Sequence, residues 1–159
     1  MKITISKILL LKLLFVQLAI SQVYNDGADI TIQPDAFIHI EGDFTNQGGI
    51  INNNGAIEIA GNWINSVMTN PLNPGNGVVV FLGTQQTIGG DFNTLFNELE
   101  LQNDQELLLN STIGIENEIN LANGTLELNR NILHLLNDDS EALVAVSYTH
   151  LTLPTICSV

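Results

Sequence analysis

Apolar and polar residues alternate along most of this chain in short runs. Ile30-Thr31-Ile32, Phe37-Ile38-His39-Ile40, Ala56-Ile57-Glu58-Ile59 and Leu126-Glu127-Leu128 each send every second side chain to one face. That period of two is what a half-buried strand requires. Turn-forming pairs bound the runs: Asp26-Gly27, Gly48-Gly49, Asn54-Gly55, Asn76-Gly77, Gly89-Gly90 and Asn123-Gly124. Beyond the N-terminal segment no long window keeps a helical period. Residues 95–101 admit a helical turn, but Leu99-Glu100-Leu101 fits a strand better. The pattern predicts an all-β chain.

A repeat underlies the strands. Ile38-His39-Ile40-Glu41-Gly42-Asp43-Phe44-Thr45-Asn46 aligns with Ile57-Glu58-Ile59-Ala60-Gly61-Asn62-Trp63-Ile64-Asn65, 19 positions on. The shared positions are Gly42, Asp43, Phe44 and Asn46 against Gly61, Asn62, Trp63 and Asn65. A looser copy, Val79-Val80-Phe81-Leu82-Gly83, follows 22 positions later, and Leu99, Ile113 to Ile115 and Leu126 to Leu128 continue a weaker beat. Units of this length with short strands suit a coil that buries its apolar face only by stacking on its neighbours. The fold predicted is a right-handed parallel β-helix, or β-solenoid. The alternative is a β-sandwich, which also places turns every 8–12 residues or so. Each repeat glycine marks a corner where a Cβ would clash or φ must turn positive. The Asn or Asp beside it can bond its own backbone or enter the left-handed region, and stacked Asn side chains can bond between coils. Residues 68–75, with Pro71 and Pro74, are expected to form a loop thrown out from one corner.

The two ends of the chain differ from its middle. Lys2 and Lys7 precede an apolar run over residues 8–20, then Ala19-Ile20-Ser21 offers small residues at the positions a signal peptidase reads. Residues 1–21 are therefore expected to be a signal peptide cleaved before Gln22. Lys12 inside the run weakens the pattern, and a buried N-terminal helix is the alternative. No Cys follows the run to accept a lipid, so no anchor is expected there. At the other end, residues 146–159 resemble a translated transposase-type sequencing adapter, in frame through Ala145 and ending at Val159. The repeat region is thus expected to span 22–145 and to be truncated, the natural protein continuing beyond about Val144.

Charge narrows the possible partners. The chain has 17 acidic and 4 basic residues; with residues 1–21 removed, Arg130 remains as the single Lys or Arg and the formal charge is −16. Such a chain repels phosphate backbones and anionic membrane surfaces, which argues against nucleic-acid binding. The one Cys, Cys157, lies in the adapter-like segment, so no disulfide or thiolate metal site is expected.

Val23-Tyr24-Asn25-Asp26-Gly27-Ala28, Gly42-Asp43-Phe44-Thr45-Asn46 and Gly61-Asn62-Trp63-Ile64-Asn65 together resemble the N-terminal regions of large bacterial surface proteins exported by type IX secretion. Gln86-Thr87-Ile88-Gly89-Gly90 followed by Phe96-Asn97-Glu98-Leu99-Glu100-Leu101 is similar to a further segment of that group. The likeness covers nearly all of residues 22–137. It implies secretion to the outer cell surface, with a separate C-terminal sorting domain that this chain lacks.

Outside the adapter-like segment, which holds His150, candidate chemistry is limited to carboxylates and two histidines. Asp138-Asp139 with Glu141, Asp104 with Glu106, and Glu116 with Glu118 raise calcium as a possibility, but none has a calcium-loop spacing, so a solvated acidic face is expected and no cofactor is assigned. Glu41 and Asp43 should lie near Glu58 and Asn62 of the next coil, a carboxylate cluster of the kind a glycosidase requires. With Arg130 the sole cation, little is available to stabilise developing negative charge, and catalysis is not expected. His39 and His134 fall on polar faces of their strands. Phe44 below Trp63 is either a sugar-stacking platform or, as expected here, shared core packing. Asn110-Ser111-Thr112 and Asn123-Gly124-Thr125 match the glycosylation acceptor, a match of little weight in a bacterial export route. The resulting expectation is a secreted structural or adhesin-like repeat protein that acts by interaction, with an extracellular polysaccharide or another cell-surface molecule as its partner. The alternative is the non-catalytic N-terminal part of a secreted carbohydrate-active enzyme.

Overall fold

The computed structural model describes residues 21–68, 72–102, 105–121 and 123–145. The expected leader, apart from Ser21, and the adapter-like segment lie outside the described residues, as does Asp104. Among the described residues every regular element is a strand and every strand pairing is parallel. A β-sandwich is built from antiparallel pairs, so the β-solenoid expectation holds and the sandwich does not.

About six coils stack, each contributing three strand segments. The first coil comprises β1 (Val23–Asp26), β2 (Ile30–Ile32) and β3 (Phe37–Ile40); the second β4 (Phe44–Gly48), β5 (Ile51–Asn53) and β6 (Ala56–Ile59); the third β7 (Trp63–Asn65), β8 (Leu72–Asn73) and β9 (Val78–Phe81). In the fourth coil β10 (Gln85–Gly90) is followed by one long strand, β11 (Thr94–Leu101), and in the fifth β12 (Gln105–Leu109) is followed by β13 (Ile113–Leu121). Each long strand covers two faces. Its register breaks near Asn97 and near Glu116-Asn117, where the chain rounds a corner as a bulge. The sixth coil separates again into β14 (Gly124–Glu127), β15 (Leu133–Leu135) and β16 (Leu143–Ala145), the last two both pairing with β13.

Register explains the repeat. Phe44 stands opposite Trp63 and Ile57 opposite Val79, so the offsets of 19 and 22 are both coil lengths. The weaker beat is a different matter. Leu99 lies on the β3 face, Ile113 to Ile115 on the β2 face and Leu126 to Leu128 on the β1 face, so these are rungs of three separate columns. The expected loop over residues 68–75 is corrected in part: Leu72–Asn73 forms β8, which pairs with β5 and buries Leu72. Residues 69–71 lie outside the described residues. Proline placement hid this strand, because Pro71 and Pro74 flank a strand only two residues long.

Alternation directs one set of side chains into the prism. Val23, Phe44, Trp63, Ile88 and Leu109 form one column, and Ile38, Ile57, Val79, Leu99, Ile119 and Leu143 another. Most are fully buried, including Ile59, Ile88, Phe96, Leu109, Ile113, Ile115 and Ile119. Trp63 centres the lower core, 4.7 Å from the Phe44 ring and 5.5 Å from Phe96 in an edge-on contact. Its indole N–H donates to Thr94 Oγ1 at 3.3 Å, which satisfies the one polar atom the ring brings inside.

The repeat glycines are required by close approach and not by φ. At Gly61 a Cβ would collide with the carbonyl of Gly42 and the amide of Asp43, and at Gly42 and Gly83 it would meet the carbonyls of Ser21 and Ala60. None of the three has positive φ; among the described non-glycine residues only Asp35, Asn129 and Arg130 do. The left-handed role expected of the adjacent Asp43 and Asn62 is therefore not the one they play.

Trp63→Ala should lower stability by about 3–5 kcal/mol, since it empties the centre of the aromatic column. Urea unfolding followed by far-ultraviolet circular dichroism would measure it. Phe37→Ala, at an exposed position, should change stability by no more than about 0.5 kcal/mol.

Candidate functional site

Polar side chains on the coil surfaces are mostly tied to the coil above or below. Asp43 Oδ1 accepts from the Asn62 backbone N–H at 2.7 Å and from its Nδ2 at 2.9 Å. Asn62 Oδ1 in turn accepts from the Thr87 N–H at 2.8 Å and its hydroxyl at 3.1 Å. On the next face Asn73 donates to Asn52 at 3.0 Å, and Asn117 donates to Glu98 at 2.8 Å on the third. The repeat positions Asp43 and Asn62 thus serve as cross-coil links.

A second column of amides lies inside. Asn25, Asn46 and Asn65 are buried in register, and Asn25 Nδ2 donates to Asn46 Oδ1 at 2.8 Å. The expected Asn ladder stops there. Asn65 turns its Nδ2 to the carbonyls of Asn93 and Phe92, and its Oδ1 accepts from the Val67 N–H. Asn46 Nδ2 is left buried without a hydrogen-bond acceptor. Sequence reasoning missed Gln86, which is buried above Gly61. Its side-chain amide Nε2 donates to the Ile59 and Gly61 carbonyls while Oε1 accepts from the Gly83 N–H. The available signal was a glutamine at an inward position of an alternating run.

A charged constellation on an exposed face is centred on His39. Its Nδ1 lies 2.8 Å from Glu58 Oε2, one coil up, and its Nε2 lies 3.2 Å from Glu41 Oε1. Two carboxylates accept and do not donate, so both contacts are hydrogen bonds only when the ring is an imidazolium. The Glu58 bond holds His39 above its ordinary pKa of 6.5; desolvation opposes it, and the contact with Glu41 adds to the rise. The expected proximity of Glu41 to Glu58 is therefore real, but a histidine bridges it. His39 has both nitrogens engaged in this way, and it is positioned to link coils. Elsewhere Glu106 hydrogen bonds Glu127, and the shared proton and like charge raise the Glu127 carboxyl above its ordinary value.

The other candidates separate in space. His134 lies exposed on β15, in the sixth coil. Glu116 and Glu118 do not simply share a strand face, because the bulge at Glu116-Asn117 comes between them. Glu118, Asp139 and Glu141 line an open depression of about 170 Å³ together with Asn117 and Asn137. Asn137 and Asp139 there bond backbone groups, Asn137 Nδ2 donating to the Asn117 carbonyl and Asp139 Oδ1 accepting from Glu141 N–H. Among the described residues no three His, Cys, Asp or Glu side chains are grouped to hold a metal ion. Phe44 and Trp63 are 4% and 1% exposed, which makes them core residues and closes the ring faces to a sugar.

No family model, curated protein or solved structure matches this chain.

Nuclear magnetic resonance titration should place the His39 pKa above 6.5, and Glu58→Gln should bring it down toward that value. A raised folded pKa means the folded state holds the proton more tightly, so the contribution to stability is complete below about 6.5 and is lost as pH rises through the folded value. Thermal unfolding should therefore show a small decline across that window in the parent, absent in His39→Asn.

Proposed function

We propose that this chain is the N-terminal part of a secreted, cell-surface structural or adhesin-like protein that acts by interaction and not by turnover. The observation that carries this reading is the use made of its polar residues. Asp43, Asn62, Thr87, Asn52, Asn73, Glu98 and Asn117 form bonds between coils and so serve to hold a long acidic prism together. A solenoid of this kind presents extended faces whose length grows with coil number, a shape suited to spanning distance and meeting partners along a surface.

Two sequence features support the location. The Lys2 and Lys7 pattern with its apolar run suits export, and the segments around Gly42-Asp43-Phe44 and Gly61-Asn62-Trp63 resemble type IX-secreted surface proteins. High acidity favours solubility and repels anionic surfaces, so the partner expected is a neutral polysaccharide or a protein surface.

Proteinase treatment of intact producing cells tests the reading. Antibody raised against the solenoid should lose its cell-associated signal within minutes of treatment while a periplasmic marker survives. Protection equal to that of the marker would place the chain inside the outer membrane and sink the surface assignment.

A further inference from the structure

Outward positions on the β3 face are polar in most coils and apolar in one. Register places His39, Glu58, Val80, Glu100 and Asn120 in one outward column, with Ala56, Val78, Glu98 and Glu118 in the column beside it. In the third coil Val78-Val79-Val80-Phe81-Leu82 is apolar at every position, so alternation is lost there. A parallel strand that is apolar throughout is the kind covered on both faces. The core covers the inner side through Val79 and Phe81, 1% and 2% exposed. No further strand packs over the outer side among the described residues.

The outer side of β9 is the floor of a shallow trough. Val80 is 6% exposed yet stands apart from the core cluster, because the longer side chains of Glu58 and Glu100 flank it in the coils below and above. Half-buried Val78 and Leu82 extend the floor at either end. Four residue steps give it a length of about 13 Å, and its walls are two strand spacings apart, about 9.5 Å.

The walls carry charge of one sign. Glu41 and Glu58 lie on one side, Glu98, Glu100 and Glu118 on the other. His39 offsets part of the first wall, being shared between Glu41 and Glu58. On the second, Glu98 accepts from the neutral amide of Asn117 at 2.8 Å and Glu100 from that of Gln102 at 3.1 Å. Neither donor cancels the carboxylate's charge, and among the described residues no cation pairs with either. Arg130, the one Lys or Arg among the described residues, lies between β14 and β15.

An occupant must bring aliphatic side chains to the floor and cations to both walls. An extended strand turns alternate side chains away from the face it lies on. A helix is better matched. Its diameter of about 10–12 Å fits the wall spacing, about two and a half turns span the length, and lysines flanking an apolar stripe reach down on both sides. A neutral sugar would leave the carboxylates without partners.

We propose that the trough over Val78, Val80 and Leu82 is a docking site for a basic amphipathic helix of a partner protein. The proposal rests on the interaction reading above and narrows its partner to a protein.

The test uses the protein recovered from its producing cells and a fluorescein-labelled peptide of leucine and lysine in helical period. Polarisation should show saturable binding that weakens as salt is raised. The same leucines and lysines in scrambled order should bind at least about threefold more weakly, and so should Glu98→Gln combined with Glu100→Gln, and Val80→Thr. Asp26→Asn with Glu127→Gln, which removes as much charge from the β1 face, should stay within about twofold of the parent. Should Val80→Thr fail to fold by circular dichroism, Val78→Thr at a half-buried position provides the comparison. No saturable binding up to about 1 mM peptide, or binding indifferent to residue order or to the trough variants, would overturn the proposal. So would retention on a neutral glucan that Val80→Thr abolishes, since it would assign the trough to polysaccharide. Each of these results leaves the cell-surface location standing, and proteinase protection of intact cells would remove that location while leaving the peptide binding unchanged.

Discussion

The structure depends on parallel backbone pairing between successive coils. No single coil can satisfy its own amides or bury its own aliphatic face, so each coil supplies both the hydrogen-bond partners and the apolar floor for the next. Everything else follows from keeping that register. Gly42, Gly61 and Gly83 exist because at one corner the coils approach too closely for a Cβ. Asp43 and Asn62 extend the same pairing from backbone to side chain at that corner. The apolar columns are a further result, since a strand in register places its inward residue over the inward residue below.

Side chains tune this frame in different ways. Trp63 fills the wide lower core with one large ring, contacts Phe44 and Phe96, and leaves its N–H satisfied by Thr94. Asn25, Asn46 and Asn65 place polar amides where the columns elsewhere hold hydrocarbon, which is tolerable only with partners. Two of the three are well bonded; Asn46 is less so, because Asn65 is turned to a loop backbone and away from it. On the outer face His39 joins two coils through carboxylates that would otherwise repel each other.

Much of the architecture was legible from local pattern. Alternation in Ile38-His39-Ile40 and Ile57-Glu58-Ile59 marks strands, and the 19-residue offset with its Gly and Asn marks stacked coils, because both signals come from constraints repeated at every rung. Features set by a single corner were not legible. The short strand Leu72–Asn73 is concealed by two prolines, and the bulges at Asn97 and Glu116-Asn117 show only as a few polar residues between apolar runs, which a turn or a solvated strand would also give. Function was the least legible. The ladder residues are the same Asp, Asn, Glu and His types that a catalytic or metal site would use, and only their partners reveal that they hold coils together.

Coil length is not fixed in this molecule. Successive rungs on the first face are separated by 21, 19 and 25 residues from Val23 to Phe44, Trp63 and Ile88, yet the pairing stays parallel and the buried columns stay aligned. The extra residues are accommodated between rungs, as in the turn that Gln86 closes against Gly83. The rung positions carry the fold and the intervening corners carry the variation. A lineage built on this plan can therefore lengthen or decorate one corner of one coil without renegotiating the others, so that novelty accumulates along a single edge of the prism while the remaining faces stay unchanged.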